Sequence, residues 1–578
     1  MKLENYISTD EQETFINRSN VLVQNIIKDF GGIIPLGPWY TFCDETDWVH
    51  KQLAHYRMSK TFCEPGSRPK PADAVNKMLS YDSRGLVSFE PATIKMDDVS
   101  RLHLYRTRER LHSALSGFKL EYSGKVPSGE TSLSNRGNCS VFAKLKDLKQ
   151  WQVTADCFDL ACKLFYNTLW LKRVAKSHFL KYNKSENYRL YHAYSDQKHC
   201  GFAIFREKML EIVTIVDGSR ITTVPKNNDT DRVINTEPLL NMMVQFSISS
   251  SIRKILKKEF GLDLSFAQTV HNCKIASTSV ATIDLSAASD SNWMSVVNWL
   301  YPKRFSKLLM DARSPGGSYN GEFHLFNMLS PMGNGFTFEV MTLTLLACAR
   351  SFCDTSSVFG DDIIIRTQHA KAYIRLISVL GYKTNESKTF INGYFRESCG
   401  GFTHRGKALK TFSFWWADDL IDSVVNINKL IILMGEGVLT DRSCERILEH
   451  LKHYTPLLLL SDDCDGSADL GLNIRVPLSV MNIRRMKRKH RYFTKGSPWL
   501  KKTMAKTIDA YCHDHRKVDF SIELCKRSED YISRGRWKQL PKDNLRNVSI
   551  AAHYFYSGMC TAPTILNKYE YKARFVML

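Results

Sequence analysis

The sequence predicts an α+β fold in which mostly helical regions flank a stretch of alternating strands and helices. Residues 1–200 carry mainly helical patterns, interrupted by a polar, glycine-containing segment at 123–138. Between 281 and 403 short β-branched runs alternate with helix-spaced apolar residues, and from about residue 416 the pattern is helical again. A chain of 578 residues is too long for one ordinary core, so we expect several subdomains.

The composition indicates a globular chain with an anionic partner. Hydrophobic residues make up 43% and charged residues 24%, which excludes a disordered protein. The net charge of +21 and the pI near 9.2 favour a polyanion such as nucleic acid, although a basic surface also serves solubility. The longest apolar runs are too short to cross a bilayer and the N-terminus is polar and acidic, so neither a membrane span nor a signal peptide is expected. The 15 cysteines include no C-x-x-C pair, which favours free thiols in a reducing cytoplasm.

Part of the basic excess is concentrated in residues 484–502, RRMKRKHRYFTKGSPWLKK, where aromatic residues lie among the cations. Basic groups suit phosphate contacts, and aromatic rings suit base stacking. A solvated helix face or a disordered basic loop would give the same pattern. On the first interpretation the stretch binds nucleic acid through Arg484, Arg485, Lys487, Arg488, Lys489 and Arg491.

Asp284, in 281-ATIDLSAASDS-291, follows three residues that are typical of a buried strand. An aspartate at the carboxyl end of such a strand projects into the crevice where α/β sheets bind ligands. Residues 286–290 are predicted to lead into a helix, because 292-NWMSVVNWL-300 has apolar residues at helical spacing.

Two adjacent aspartates, Asp361 and Asp362, lie in 358-VFGDDIIIR-366 among apolar and β-branched residues. The pattern predicts a tight β-hairpin in which Gly360 supplies backbone freedom. Aspartate is also an ordinary turn residue, so the triplet alone is weak evidence. If the hairpin lies beside Asp284, the carboxylates converge, and hard oxygen ligands suit Mg²⁺. Protonation of one carboxylate is the other way to make the pair tolerable.

A second hairpin is predicted at 211–224, with an Asp-Gly turn. The loop that follows, 224-VPKNNDTDRVI-234, carries Lys226 and Arg232, whose cations suit a triphosphate. One lysine and one arginine in a loop are equally typical of ordinary surface.

Two further segments complete the set. The glycine-rich stretch 329-LSPMGNGFTFE-339 precedes an apolar helix, and its glycines would allow close backbone approach to a substrate. A simple turn at the start of a helix explains this stretch equally well. In 380-LGYKTNESKTF-390, Lys388 suits a proton donor to departing pyrophosphate, whereas the ordinary alternative is a solvent-exposed lysine.

The order of these segments resembles motifs F, A, B, C and D of viral RNA-dependent RNA polymerases. More narrowly, VPKNNDTDR, TIDLSAASDS, MGNGFTFE, GDDI and FRESCG resemble the Q-beta-like replicase β subunits of leviviruses, small positive-strand RNA bacteriophages. The resemblance covers about residues 220–400. It implies a right-hand polymerase of fingers, palm and thumb, with an RRM-like antiparallel palm sheet and mostly helical fingers and thumb. The implied regions are 1–280 for the N-terminal region and fingers, 281–403 for the palm, and 404–578 for the thumb and C-terminal basic region.

The resemblance implies an RNA-templated RNA polymerase that replicates a single-stranded RNA phage genome by two-metal nucleotidyl transfer from nucleoside triphosphates. Two Mg²⁺ ions are implied, for which Mn²⁺ can substitute. A reverse transcriptase and a non-catalytic RNA-binding protein remain alternatives. The implied partners are template and product RNA, host elongation factors Tu and Ts and an OB-fold ribosomal protein, in the host bacterial cytoplasm and without a membrane.

The resemblance also assigns roles to residues of this sequence. Asp284 and Asp361 match the metal ligands, and Asp362 matches a second hairpin carboxylate that assists them. The implied nucleotide-binding residues are Lys226, Arg232, Asp290, Gly333 and Asn334, and Lys388 matches the motif D lysine. Many related polymerases place a serine where this chain has Met332, so Asn334 is the expected reader of the ribose 2′-hydroxyl.

Overall fold

The computed structural model describes most of the first 453 residues and two short strands beyond them. The described residues are 9–32, 43–64, 71–86, 88–127, 129–134, 141–179, 197–418, 420–453, 458–459 and 472–473. The helices are α1 (Thr9–Gly31), α2 (Thr46–Thr61), α3 (Pro71–Asp82), α4 (Asp98–Leu115), α5 (Val141–Lys146), α6 (Phe158–Asn167), α7 (Leu169–His178), α8 (Gln197–Ile212), α9 (Leu239–Phe260), α10 (Ala267–Lys274), α11 (Met294–Leu300), α12 (Lys303–Ala312), α13 (Thr337–Phe352), α14 (Thr367–Val379), α15 (Leu420–Gly435) and α16 (Asp441–His453).

The strands are short and form several small sheets. They are β1 (Gln152–Val153), β2 (Thr214–Ile215), β3 (Ser219–Pro225), β4 (Asp231–Thr236), β5 (Val280–Ile283), β6 (Leu285–Ser286), β7 (Gly316–Tyr319), β8 (Glu322–Leu325), β9 (Ser357–Phe359), β10 (Asp362–Arg366), β11 (Lys383–Thr384), β12 (Phe395–Ser398), β13 (Gly401–His404), β14 (Lys407–Ala408), β15 (Leu458–Leu459) and β16 (Leu472–Asn473). This mixture of helices and small sheets confirms the α+β class.

The central sheet has the order β5-β10-β9, and both strand pairs are antiparallel. The hairpin predicted around Gly360 is confirmed, with Asp362 opposite Phe359. The three isoleucines of β10 are at most 1% exposed, and two of them, Ile363 and Ile365, belong to the main hydrophobic core. On its other side β5 is joined to the chain at Phe390, whose N–H donates to the Thr282 carbonyl at 2.8 Å.

Helix α13 is buried on almost every face and is the central helix of the main core. A helix that is apolar all round is stable only when other elements enclose it, and here α4, α9 and α14 do so. The helix begins at Thr337, directly after the glycine-rich loop. The core therefore fixes this loop at one end, and α13 also packs against β9.

The hairpin predicted at 211–224 is wrong. Residues 211–212 end α8, and β2 pairs in parallel with β1. The antiparallel partner of β3 is β4, in a ladder that runs from Arg220–Thr236 to Pro225–Asp231. The Asp-Gly pair resembled a hairpin turn, but the longer β3–β4 ladder and the parallel bonds to residues 151 and 153 decide the pairing. The predicted lead into a helix at 286–290 also differs: β6 ends at Ser286, and α11 begins only at Met294.

A second core joins the two ends of the described chain. Phe15, Val23 and Ile26 of α1 pack with Ile427 and Leu430 of α15, and all five are fully buried. The first helix of the implied 1–280 region therefore shares its core with helices of the implied 404–578 region. The helices predicted at 418–434 and 441–454 are confirmed as α15 and α16.

Among the described residues, no helix combines the length and apolar character that crossing a membrane requires.

Candidate active site

Asp284 lies directly after β5, where the ladder with β10 ends. Its Oδ2 accepts a hydrogen bond from Asn385 Nδ2 at 2.9 Å, and Lys388 Nζ lies 3.9 Å from the same oxygen. Burial raises the pKa of Asp284; Lys388 opposes this shift, and the charge of Asp361 adds to it. The aspartate predicted at a strand end is thus a half-buried carboxylate that meets both a cation and a second carboxylate.

The tight turn that presents Asp361 depends on Gly360. This glycine has φ +66°, and an added Cβ would lie 2.5 Å from the Phe338 ring. Its N–H donates to Thr342 Oγ1 at 3.0 Å, and the Phe338 and Phe359 rings pack edge to face at 4.8 Å. The turn is therefore anchored directly on α13.

Asp362, the first residue of β10, has a different environment. Burial raises the pKa of Asp362 to about 7; the backbone N–H of Cys399 opposes the shift, while Asp361, Asp284 and Glu397 add to it. Cys399 follows β12, so Asp362 is held by the strand end that carries the FRESCG stretch. The adjacent aspartates are therefore not equivalent, because Asp362 is bonded to a neighbouring strand end.

Lys388 bridges two carboxylates. Its Nζ lies 3.9 Å from Asp284 Oδ2 and 3.9 Å from Glu397 Oε1, and its side chain is 37% exposed. Desolvation lowers the pKa of Lys388, but the charges of Glu397, Asp284, Asp362 and Asp361 outweigh it and raise this pKa above its usual value. A raised pKa keeps the ammonium protonated, as a proton donor requires.

Lys226 and Arg232 lie on the β3–β4 hairpin, and both are exposed. Arg232 stands opposite Val224 in the ladder, and Lys226 begins the connecting loop. Desolvation lowers the pKa of Lys226, followed by repulsion from Arg232 and Lys388, while Asp284 opposes the shift. Lys226 therefore interacts electrostatically with Asp284 as well as with Arg232. Cations in this position suit the binding of a triphosphate.

Asp290 is partly buried, as are Asp284, Asp361 and Asp362. Ser289 Oγ donates to its carboxylate at 2.9 Å. Burial raises the pKa of Asp290 to about 6; the Ser289 bond opposes this, Asp82 adds to it, and Lys226 opposes it. Asp290 thus also lies within electrostatic reach of Lys226.

The glycine-rich loop forms one wall of a cavity of about 820 Å³. Gly333 has φ +112°, and an added Cβ would collide with the carbonyl of Asn235. Other walls come from β3, β4, α9 and the chain around Lys125. Asn334 is 7% exposed, and its amide donates to Glu237. The loop backbone therefore borders open space, whereas the Asn334 side chain is bonded within the protein.

Sequence reasoning missed four polar side chains at the site. Asn385 and Glu397 contact Asp284 and Lys388, while Glu237 and Gln245 hold the glycine-rich loop; the last two are fully buried. An acid in the short, largely buried strand β12 is a signal that could have found Glu397. Glu237 is a lone acid before a proline, which carries no comparable signal.

The carboxylates of Asp284 and Asp361 are the type of ligand that binds a divalent cation. Asp284 and Asp361 supply hard oxygen donors. Burial raises the pKa of Asp284, and a cation between the two carboxylates would relieve the repulsion from Asp361 that adds to this shift. Within the described ranges, no group of three or more His, Cys, Asp or Glu side chains is arranged to hold a metal ion. At present Asn385 and Lys388 are the neighbours of Asp284, so loading a metal would require these side chains to rearrange or other oxygens to contribute.

The predicted nucleic-acid-binding residues Arg484, Arg485, Lys487, Arg488, Lys489 and Arg491 lie outside the residues that the structure describes. Their role stays a prediction.

Comparison with known proteins identifies relatives over part of the chain. A family model described as "RNA replicase, beta-chain" matches residues 183–486, more than half of the chain. The RNA-directed RNA polymerase subunit beta of Qbeta virus (strain MX1) is 40% identical over 203 residues, which is 33% of this chain and 34% of that protein. The RNA-directed RNA polymerase beta chain of Enterobacteria phage fr is 41% identical over 272 residues, 44% of this chain and 48% of the relative. The matches therefore span at most about half of these relatives.

Among solved structures, a chain described as an RdRp complex is similar over 82% of this chain and 51% of its own length. The sequence identity is 11% and the TM-score is 0.36, which is too low to establish a shared fold.

Proposed function

The chain belongs to the RNA replicase beta-chain family, and on that premise we propose that it is an RNA-directed RNA polymerase. Its substrates would be nucleoside triphosphates and an RNA template, and its product a complementary RNA strand. The relatives named RNA-directed RNA polymerase share more than a third of their aligned residues with it.

The observation that carries the proposal is the meeting of carboxylates and cations around Asp284. Lys388 lies 3.9 Å from this aspartate, and the charges of Asp361 and Lys226 both act on it. Nucleotidyl transfer needs these two sets of groups, because anionic phosphates must approach carboxylates that would otherwise repel them.

In the proposed reaction the 3′-hydroxyl oxygen of the growing RNA forms a bond to the α-phosphorus of a nucleoside triphosphate. The bond from this phosphorus to the bridging oxygen of pyrophosphate breaks, and the hydroxyl proton passes to solvent water. Lys226 and Arg232 would neutralise the β- and γ-phosphates. Lys388, protonated because its pKa is raised, would give a proton to the leaving pyrophosphate.

Asp284 and Asp361 would hold Mg²⁺ or Mn²⁺, with Asp362 assisting from β10. Such ions lower the pKa of the attacking hydroxyl and stabilise the leaving group when they are bound. The protein's own contribution is to hold the two carboxylates at the same end of the hydrogen-bonded strands β5 and β10, Asp284 directly after β5 and Asp361 directly before β10.

For the architecture we propose a right hand. The β5-β10-β9 sheet with α13 and α14 would be the palm, the β3–β4 hairpin part of the fingers, and α15 with α16 part of the thumb. We keep the proposed boundaries only as divisions of the sequence, at 1–280, 281–403 and 404–578. They are not separate packing units, since α1 of the first region packs against α15 of the last.

We further propose that the chain works within a complex, because the Qbeta relative is named as a subunit. The proposed partners are host elongation factors Tu and Ts and an OB-fold ribosomal protein, in the host bacterial cytoplasm. Replication of a phage RNA genome would be the biological role.

The test is incorporation of labelled ribonucleotides on an RNA template, with and without Mg²⁺. We expect Mg²⁺-dependent synthesis by the wild-type chain assembled with its proposed partners, and its loss in Asp361→Asn with RNA binding largely retained. Near-normal synthesis by Asp361→Asn would contradict the proposed polymerase function. A preference for deoxyribonucleotides would instead indicate a reverse transcriptase, and binding without synthesis a non-catalytic RNA-binding protein.

A further inference from the structure

Glu237 is a fully buried carboxylate behind the glycine-rich loop. It directly follows β4 and precedes Pro238, at the start of α9. Ser314 Oγ donates to its Oε2 at 2.5 Å, and Asn334 Nδ2 donates to its Oε1 at 3.1 Å. Both carboxylate oxygens are thus bonded, one of them to the loop itself.

The loop is held at further points by the same two elements. The Gly335 N–H donates to Gln245 Oε1 of α9 at 2.9 Å, and the Asn235 N–H of β4 donates to the Met332 carbonyl at 2.8 Å. Within the loop, the Phe336 N–H donates to Asn334 Oδ1 at 3.0 Å. Both ends of the Asn334 amide are therefore engaged, and the loop conformation depends on that side chain.

Burial raises the pKa of Glu237, and the charge of Arg313, which is 5% exposed, opposes this shift. The guanidinium donates to the carbonyls of Met328 at 2.7 Å, Pro315 at 2.8 Å and Phe326 at 3.2 Å. These bonds fix the chain that leads into the loop. A buried carboxylate is tolerable only when its oxygens are hydrogen-bonded, so loss of the acceptor oxygens at position 237 would disturb this arrangement.

We propose that Glu237 is a positioning residue that sets the nucleotide-facing conformation of the glycine-rich loop. The inference rests on the proposed polymerase function and assigns a residue that the reaction scheme does not include. Glu237 joins the hairpin that carries Lys226 and Arg232 to the loop whose backbone lines the 820 Å³ cavity. A shift of the loop would therefore alter nucleotide binding even in a fully folded chain.

An exchange of the amide and the carboxylate tests this pairing. Asn334→Asp places two carboxylates face to face in a buried site, and we expect the KM for nucleoside triphosphate to rise at least about tenfold. Glu237→Gln alone keeps an acceptor for Asn334, because the Ser314 hydroxyl can turn, so we expect a change within about threefold. In the double variant the amide introduced at position 237 donates to the carboxylate introduced at position 334, and we expect KM to return to within about threefold of wild type.

The matched control is Asn20→Asp in α1. Asn20 is also buried and uses its amide on the Ala417 backbone, at 3.0 Å in both directions. Glu237→Gln should not correct any defect of Asn20→Asp. Rates are measured per active site, from the fraction of chains that extend an RNA primer, at a temperature where circular dichroism shows each variant folded.

Wild-type KM in folded Asn334→Asp, or no recovery in the double variant, would overturn the role of Glu237. A wild-type chain that stays inactive when it is assembled with its proposed partners would instead overturn the polymerase proposal. In that case the same exchange can be followed by thermal unfolding, in which a real pair still gives recovery by the double variant.

Discussion

The carboxylates at the end of β5 and in the β9–β10 turn differ from the carboxylate of Glu237 in how their charge is compensated. Glu237 has hydrogen-bond donors on both oxygens and a buried arginine close by. Asp284 has one amide donor and a lysine at 3.9 Å, and Asp361 adds a repulsive charge. A fully bonded carboxylate stabilises one conformation. A carboxylate left with repulsion and partial exposure remains available to bind a cation or a substrate.

The largest expected effect is a loss of activity without a loss of stability when Asp284 is replaced. Asp284→Asn keeps an acceptor for Asn385 but removes the charge, so we expect incorporation to fall at least about 10³-fold. The free energy of unfolding should be unchanged or higher, because burial and Asp361 both disfavour the charged form. Primer extension and denaturant unfolding measure the two quantities.

Asp311→Asn is the control for this variant, since Asp311 pairs with Lys307 at the protein surface. It should leave activity at wild-type level, because exposed ion pairs contribute little. A large loss of stability in Asp284→Asn would contradict the distinction between the two carboxylates.

A smaller effect on activity is expected at Lys388, the cation between Asp284 and Glu397. Lys388→Met removes both the proton donor and the charge that faces Asp284 and Glu397, so we expect kcat to fall about 100-fold. Lys388→Arg retains the charge but is a poor proton donor, and should recover only part of this loss. Single-turnover incorporation distinguishes the two contributions. Full activity of Lys388→Arg would show that charge alone matters there.

The smallest effect is on stability and depends on pH. His271 is fully buried between Ser398 Oγ at 2.8 Å and Ser357 Oγ at 3.0 Å, and burial followed by Lys274 lowers its pKa to about 4. Between the unfolded pKa of about 6.5 and this value, the unfolded chain binds a proton that the folded chain excludes. The free energy of unfolding should therefore fall as pH falls through this window, by at most about 3 kcal/mol.

The His271→Gln variant should lack this pH-dependent contribution to the free energy of unfolding. The measurement is the difference in unfolding free energy between about pH 7 and pH 4.5 in both proteins, so that carboxylates titrating in the opposite sense cancel. The part-exposed His369→Gln is the control and should behave as wild type. Equal pH dependence in wild type and His271→Gln would contradict the buried, neutral state of His271.

Local patterns were sufficient where the interacting residues are close in sequence. The hairpin at Gly360 was predictable because a residue that tolerates positive φ stands between two strand-forming runs. The strand before Asp284 and the helix after the glycine-rich loop were also predictable, because their patterns too lie within short stretches of sequence. The hairpin at 211–224 was predicted wrongly, because its Asp-Gly pair is only a local turn signal. The partner of β2 is β1, far earlier in the chain, and β3 pairs with the strand that follows it, β4.

The sequence by itself predicted the α+β class, named candidate acidic and basic site residues, and pointed through their order to the family. Only the tertiary structure decided that Asp362 lies against the backbone of Cys399 at the end of β12, that Asn334 is bonded to Glu237, and that α1 packs with the last described helices. The physical reason is that hydrogen bonds and burial join residues far apart in sequence. Asp284 and Asn385 are 101 residues apart, and Glu237 and Asn334 are 97 apart.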